Sequence, residues 1–440
     1  MTGAELISPE FMDALQREAF DYFVYEANPL NGLIADKTQA GWPASIAAVG
    51  FALSSYPVAV ERGFMTRANA VHRTLATLRF FHGSVQSRDA DATGYKGFYY
   101  HFLDMNDGKR AWNCELSTID TALLLAGMLT AAQYFSGDGA DDCEIRELAD
   151  TLYRRADWNW AQNGAPTVTL GWKSRSGFLR YRWQGYNEGL LIYLLGLGSP
   201  THPLPVESYP QWTATYQSRK VYDQEFLYAG PLFTHQFPHV WVDFRGIQDE
   251  YMRGKRSDYF DNSRRATHVH RQHAIANPDR FSGYGENAWG FTASDGPGPA
   301  TYRIKGERRR FFGYRARGAP VGPDDGSLAP WAVAASLPFA PEIVAPALRY
   351  FEALKLREGN PYGFKATFNA TIGERSHPPQ LWVSPFHFGI NQGPIVLMIE
   401  NFRTGLIWSL MRRCPHLVVG LDRAGFTGGW LGARKTGRPV

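Results

Sequence analysis

Residues 115–127 read ELSTIDTALLLAG. From Ser117 to residue 136 the run is helical in pattern and strongly apolar, which predicts a helix buried in a core. At its start, Ser117-x-x-Asp120 is a capping-box-like pattern, in which Asp120 bonds back to the cap. Working outward, Phe11, Leu15, Ala19, Phe20 and Phe23 recur at three- and four-residue steps across 9–27. Ala70, Leu75, Leu78 and Phe81 repeat that spacing across 66–82. Between them, the apolar segment 44–56 is expected to stop at Pro57. Further helices are predicted at 142–157, 187–197, 209–217, 235–243, 257–276, 330–338, 341–356 and 390–412. Short β pieces fit 94–103, 167–183 and 300–316. About twelve helices in one chain predict an all-α fold, an (α/α)6 barrel or toroid with long loops and short β pieces at its cleft end. No linker, composition shift or fixed-period repeat divides the sequence, so 1–440 is expected to be a single domain.

The composition narrows the function. Of 440 residues, 44% are hydrophobic and 20% charged, which excludes disorder and collagen. Aromatics reach 14% and glycines number 44, a combination that suits loops presenting flat rings to sugars. The formal charge is +4, and the densest basic run, Arg308-Arg309-Arg310, is too short for a nucleic-acid stripe. Cys114, Cys143 and Cys414 are odd in number and far apart, so neither a disulfide framework nor a zinc knuckle is supported. The first ten residues show no basic or long apolar leader, and no run of 18 apolar residues occurs. A cytoplasmic location follows as an expectation, or a periplasmic or secreted one if a leader has been trimmed. No membrane partner is expected, and the oligomeric state stays open.

HExxH, P-loop and GxSxG motifs are absent. His235 and His239 have i, i+4 spacing, but Pro238 lies between them, so no metal is expected. His268, His270 and His273 read as solvated on a polar helix. Carboxylates in aromatic, glycine-rich surroundings remain. Glycosidic cleavage needs one carboxyl to protonate the leaving oxygen and a second group to attack or activate water. Asp120 is one candidate, balanced by its reading as a cap, and Glu115 is the alternative in the approach loop. Glu188, in Tyr186-Asn187-Glu188-Gly189 after the aromatic WQGY segment, is the second, against a helix-start reading with Asn187 as N-cap. Asp243 and Arg245 are either a buried ion pair or a pair gripping hydroxyls, with Asp249 solvated or joined to them. In GYGENAWGFTASDGPGP, Glu286, Trp289 and Asp295 sit in a loop suited to function, and Trp289 offers a ring to stack on a pyranose. The same loop can also be read as plain turn chemistry at Asp295-Gly296. Asn391 and Gln392 are candidate contacts, while Glu400 reads as structural, with Arg403 as its partner.

Several segments together resemble a known family. They include SIAAVGFAL (45–53), GFYYHFLD (97–104), ELSTIDTALLLAG (115–127), NEGLLIYLLGLGSPTHPLP (187–205) and PLFTHQFPHVWVDFRGIQD (231–249). GYGENAWGFTASDGP, DGSLAP (325–330) and GPIVLMIENFRTGLIW (393–408) continue the match in family order over nearly the full chain. The sequence resembles the bacterial glucoamylase-like domain family, which includes the β-1,2-glucanases. The resemblance implies an (α/α)6 barrel and a glycoside hydrolase acting on β-1,2-glucan, with acidic residues falling on Asp120 and Glu188. The expectation is an inverting acid/base pair, Glu188 and Asp120, with no cofactor. Glu115, His235, Asp243, Arg245, Trp289, Asp295, Asn391 and Gln392 are expected to bind an oligo- or polysaccharide. Two departures stand out: relatives often carry Asp where this chain has Asn187 and Asn391, and an Asn cannot serve as general base. Segment 365–385 also departs. Alternatives on the same fold are a polysaccharide lyase enlisting His235, His239 and Tyr284, or a transglycosylating or non-hydrolytic glucan-binding relative.

Overall fold

A computed structural model describes residues 7–435, and the leader reading of residues 1–6 lies outside them. The fold is dominated by helices, and the β structure is confined to short pieces. Two compact units are formed. One comprises the residues up to Tyr22 together with Gln217–Phe237 and Asp261–Arg403; the other comprises Phe23–Tyr216, Pro238–Phe260 and the residues from Thr404.

The second unit is built around the helix Thr118–Tyr134, nearly all of it buried as its apolar sequence predicts. Ile46–Glu61 packs along it, and Gly50 and Gly127 allow the two backbones to touch. A Cβ on Gly127 would lie 2.2 Å from the Gly50 carbonyl oxygen, and one on Gly50 would lie 2.3 Å from that of Leu123. Gly127→Ala is therefore expected to cost about 1–3 kcal/mol by overpacking. The check is a lowered urea midpoint at unchanged m value. Ala140–Arg155, Leu190–Gly198 and Leu406–Met411 also pack on the central helix, and Pro415–Arg423 lies against Leu190–Gly198.

Ile46–Glu61 does not stop at Pro57, as expected, but runs through it. Proline removes one intrahelical bond. Here Tyr56, Pro57, Val58 and Ala59 are all buried, so packing outweighs that loss. The predicted helix 390–412 is in fact two, Gly389–Arg403 and Leu406–Met411, separated at Gly405, which adopts φ 70°. Region 235–243 is a 3-10 turn, Leu232–His235, followed by a short helix, Phe237–Trp241, so the i, i+4 histidines do not share one regular helix. β pieces occur in each of the predicted ranges, and others were not predicted, among them Leu116–Ser117 and the hairpin of Ser218–Val221 with Gln224–Leu227. Gly94–Tyr95, Phe98–Tyr100, Leu116–Ser117, Gly171–Lys173 and Gly177–Phe178 form one five-stranded antiparallel sheet. Ala300–Ile304 pairs with Glu307–Phe311.

In the first unit, Pro330–Ala334 packs against both Pro341–Ala353 and Gly389–Arg403. Glu400 is buried there and accepts from Gln16 Nε2 at 3.1 Å, whereas Arg403 reaches Asp13 and Gln16. Among the described residues no helix is long and apolar enough to cross a membrane. The three cysteines are unpaired.

Candidate active site

Ser117 ends a strand and caps the helix that follows. Its hydroxyl accepts from the Asp120 N–H at 3.2 Å and donates to Asp120 Oδ2 at 2.5 Å. This is the predicted capping pattern. The sheet register then supplies a neighbour that the sequence spacing does not reveal. Tyr100 lies opposite Leu116, and the next residue, His101, donates its backbone N–H to the Glu115 carbonyl at 2.9 Å. The imidazole is thereby held between two carboxylates, with Nδ1 3.0 Å from Glu115 Oε1 and Nε2 3.6 Å from Asp120 Oδ2.

Electrostatics follow from that clamp. Burial alone pulls the His101 imidazole down. Asp120, the bond and charge of Glu115, and Asp36 together outweigh it and raise its pKa to about 9, so the ring is an imidazolium at neutral pH. The hydrogen bond from His101 in turn holds Glu115 below its ordinary value against the opposing effect of burial, helped by the charges of His101 and Lys173. Asp36 comes from the loop before the second helix. Burial pushes it up to about 6 despite His101, a Trp42 Nε1–H bond of 3.2 Å and Lys37, with Asp120 adding to the rise.

Glu188 enters the same cluster from the turn before Leu190–Gly198. Asn187 does not act as the N-cap. Its Oδ1 accepts from the Gly189 N–H at 2.9 Å, fixing an Asx turn that leaves Glu188 at the bend. Trp183, just upstream, donates Nε1–H to Thr118 Oγ1 at 2.9 Å and so ties this turn to the start of the Asp120 helix. Burial raises the Glu188 carboxyl to about 7, with the negative charge of Asp120 contributing in the same direction. Five ionisable groups from four separate segments thus share one field: Asp36, His101, Glu115, Asp120 and Glu188. Among the described residues no group of three or more His, Cys, Asp or Glu side chains is arranged to hold a metal ion.

The other predicted site residues have partners of their own. Asp243 is buried in the second unit and bonded by Arg245 Nε and Nη2, both at 2.8 Å, and by Arg412. Arg245 also stacks over Trp408 at 4.4 Å. This is the ion-pair alternative, with the carboxylate saturated by guanidinium donors. Asp249 is not solvated: it is buried, and its Oδ2 accepts from the hydroxyls of Tyr209 at 2.8 Å and Tyr259 at 2.7 Å.

The remaining candidates belong to the first unit. Trp289 is fully buried, so its ring has no free face for a pyranose, contrary to expectation. Asp295 accepts from Ser384 Oγ at 2.8 Å, and its carbonyl is held by Arg317, itself locked in a buried pair with Asp325. Glu286 is exposed and pairs with Arg271. His235 is buried and held down to about 4 by desolvation, against a bond to the Ala229 carbonyl. His270 and His273, expected to be solvated, are buried as well. Tyr284 donates to Asp324 at 2.6 Å. Gln392 donates to the Phe364 carbonyl at 3.2 Å, while both amide atoms of buried Asn391 lack a hydrogen-bond partner.

Residues 180–415 match the family described as "Putative glucoamylase". The match spans more than half of the chain. The chain belongs to this glucoamylase-like family. A glucoamylase-like protein of Bacteroides uniformis, known from its crystal structure, is 32% identical over 97% of this chain and 99% of its own, with a TM-score of 0.85. An exo β-1,2-glucooligosaccharide sophorohydrolase of Parabacteroides distasonis is 28% identical over 96% of this chain. A β-1,2-glucanase structure from Parabacteroides distasonis is 26% identical over 97% of the chain, with a TM-score of 0.82. The chain spans 58% of the length of the sophorohydrolase and 60% of that of the glucanase.

Within the glucoamylase-like chain, Asp120, Glu188 and Glu115 were legible as candidate carboxylates, but His101, Asp36 and Trp42 were not. His101 lies inside GFYYHFLD, one of the segments carrying the family resemblance. A histidine at the end of a strand-like aromatic run, followed 14 residues later by Glu115, was the available signal.

Proposed function

We propose that this protein is a glycoside hydrolase acting on β-glucan, with β-1,2-glucan as its substrate. The observation that carries the reading is Glu188, whose pKa of about 7 keeps a substantial fraction protonated at neutral pH. A carboxyl of that kind suits protonation of a departing glycosidic oxygen. Asp120 is the partner. Held by Ser117 and facing a cationic His101, it accepts a proton from a water that attacks the anomeric carbon from the opposite face. The C–O bond to the leaving sugar breaks as the bond to water oxygen forms, with net inversion. His101 and Glu115 position Asp120 and set its field.

The names of the Parabacteroides relatives support the β-1,2 linkage. The helix-dominated fold is what supports the reading as an (α/α)6 barrel. Asn391, in the first unit, keeps hydrogen-bonding capacity in its buried amide, which supports a polar contact at that residue.

The test is incubation with β-1,2-, β-1,3- and α-1,4-glucans, with reducing ends assayed and the first product anomer read by NMR. Release from β-1,2-glucan alone, as the α-anomer, is the expected result. Preferred cleavage of another glucan, or a β-anomer, would overturn the linkage or the inversion.

A further inference from the structure

A cavity of about 680 Å3 opens beside the carboxylate cluster within the second unit, with Trp42, Trp112, Lys37, Asn28, Asp104 and Arg110 among its walls. Two rings join it to the cluster. Trp112 makes T-shaped contacts with Trp42 and with Phe102, the ring centroids 5.0 Å apart in each. Phe102 stacks flat on His101, with centroids 4.0 Å apart and planes 10° from parallel. Trp42 donates Nε1–H to Asp36, which feels the charges of both His101 and Asp120. Lys37 Nζ sits 3.8 Å from the Trp42 ring centre and covers that face.

Trp112 is the unexplained member. It is 55% exposed, although burying an indole is favourable, and it adopts φ 53°. A bulky side chain in the left-handed region is a backbone outlier costing of order 1–3 kcal/mol, and such strain collects at ligand-binding positions. A large ring held out into a cavity against that cost, with amides and charges around it, has the form of a sugar-stacking platform.

We propose that this cavity is a glucosyl-binding subsite, in which the exposed Trp112 ring stacks on a sugar of the chain next to the residue undergoing cleavage. The proposal rests on the hydrolase reading above. It makes Trp112 a determinant of chain-length preference.

The test is Trp112→Gly with Trp112→Phe. Glycine removes the ring and adopts φ 53° without strain, so the fold is kept or strengthened, as a melting curve would show. On a ladder of β-1,2-oligosaccharides, W112G should lose kcat/KM through KM. The loss on the longest member should exceed that on the shortest by roughly tenfold, the worth of one stacked ring. W112F should recover most of it. An equal loss along the ladder, or none, would overturn the subsite. If the wild type cleaves no β-1,2-glucan, the hydrolase reading fails on its own. The subsite is then read from tryptophan fluorescence on titration with β-1,2-, β-1,3- and α-1,4-glucans. Quenching lost in W112G supports it, and the absence of quenching, or quenching unchanged in W112G, refutes it.

Discussion

Glu188→Gln is expected to reduce hydrolysis roughly a thousandfold or more, because the amide keeps the shape of the carboxyl but has no proton to give. The fold should be preserved and, at high pH, strengthened. The folded pKa of Glu188, about 7, lies above its ordinary 4.5. A carboxyl raised in this way contributes stability that is fully present below the unfolded pKa and is lost as pH rises through the folded one. Wild type therefore loses stability between about pH 4.5 and 7, while the glutamine variant does not share that loss. With allowance for partial exposure of Glu188, the variant should be the more stable above pH 7 by on the order of 1 kcal/mol. Urea unfolding at several pH values checks this. The pH–rate profile of the wild type should fall on its basic side with an apparent pKa near that of Glu188. Near-normal turnover in the variant would remove Glu188 from the acid role.

Asp120→Asn is expected to be nearly as damaging, with turnover falling roughly 10²- to 10⁴-fold through loss of the base. It also has a readout away from catalysis. Apart from burial, which opposes it, Asp120 is the leading influence raising His101 to about 9. Without that charge the imidazole should titrate at lower pH, visible in the NMR shifts of its ring protons. The sign for stability is opposite to that of Glu188 in origin but similar in direction. A histidine raised above its ordinary 6.5 stabilises the fold below that value, and the contribution disappears as pH rises through about 9. D120N should thus lose stability relative to wild type mainly at pH below 6.5, with this part of the gap closing above 9. An unchanged His101 titration would show that the two groups do not interact.

Much of the helical layout was legible because burial imposes a period on the sequence. The apolar run after Ser117 could satisfy its backbone only as a helix and its side chains only in a core, and Thr118–Tyr134 does both. Boundaries failed where local rules were outweighed. Pro57 was read as a stop, but the packing of its flanking residues carries the helix to Glu61. Gly405, inside an apparently continuous pattern, adopts a left-handed φ and divides it. The histidines of Tyr259–Ala276 looked polar in composition, yet His270 and His273 are buried. Trp289 was read from a glycine-rich loop as an exposed ring, but it is fully buried.

For the site, the sequence by itself determined the serine cap three residues before Asp120 and the aromatic residues beside Asp120 and Glu188. The cap spans only three positions, so spacing suffices to see it, whereas Asn187 was read as an N-cap and forms an Asx turn instead. Only the tertiary structure decided that His101 stands between Glu115 and Asp120, that Asp36 joins them, and that Glu188 and Asp120 feel each other. Charge and desolvation act through space, not along the chain. Which carboxyl is raised and which is lowered is therefore settled by partners dozens of residues away, brought together by a sheet register and the packing of two helix starts.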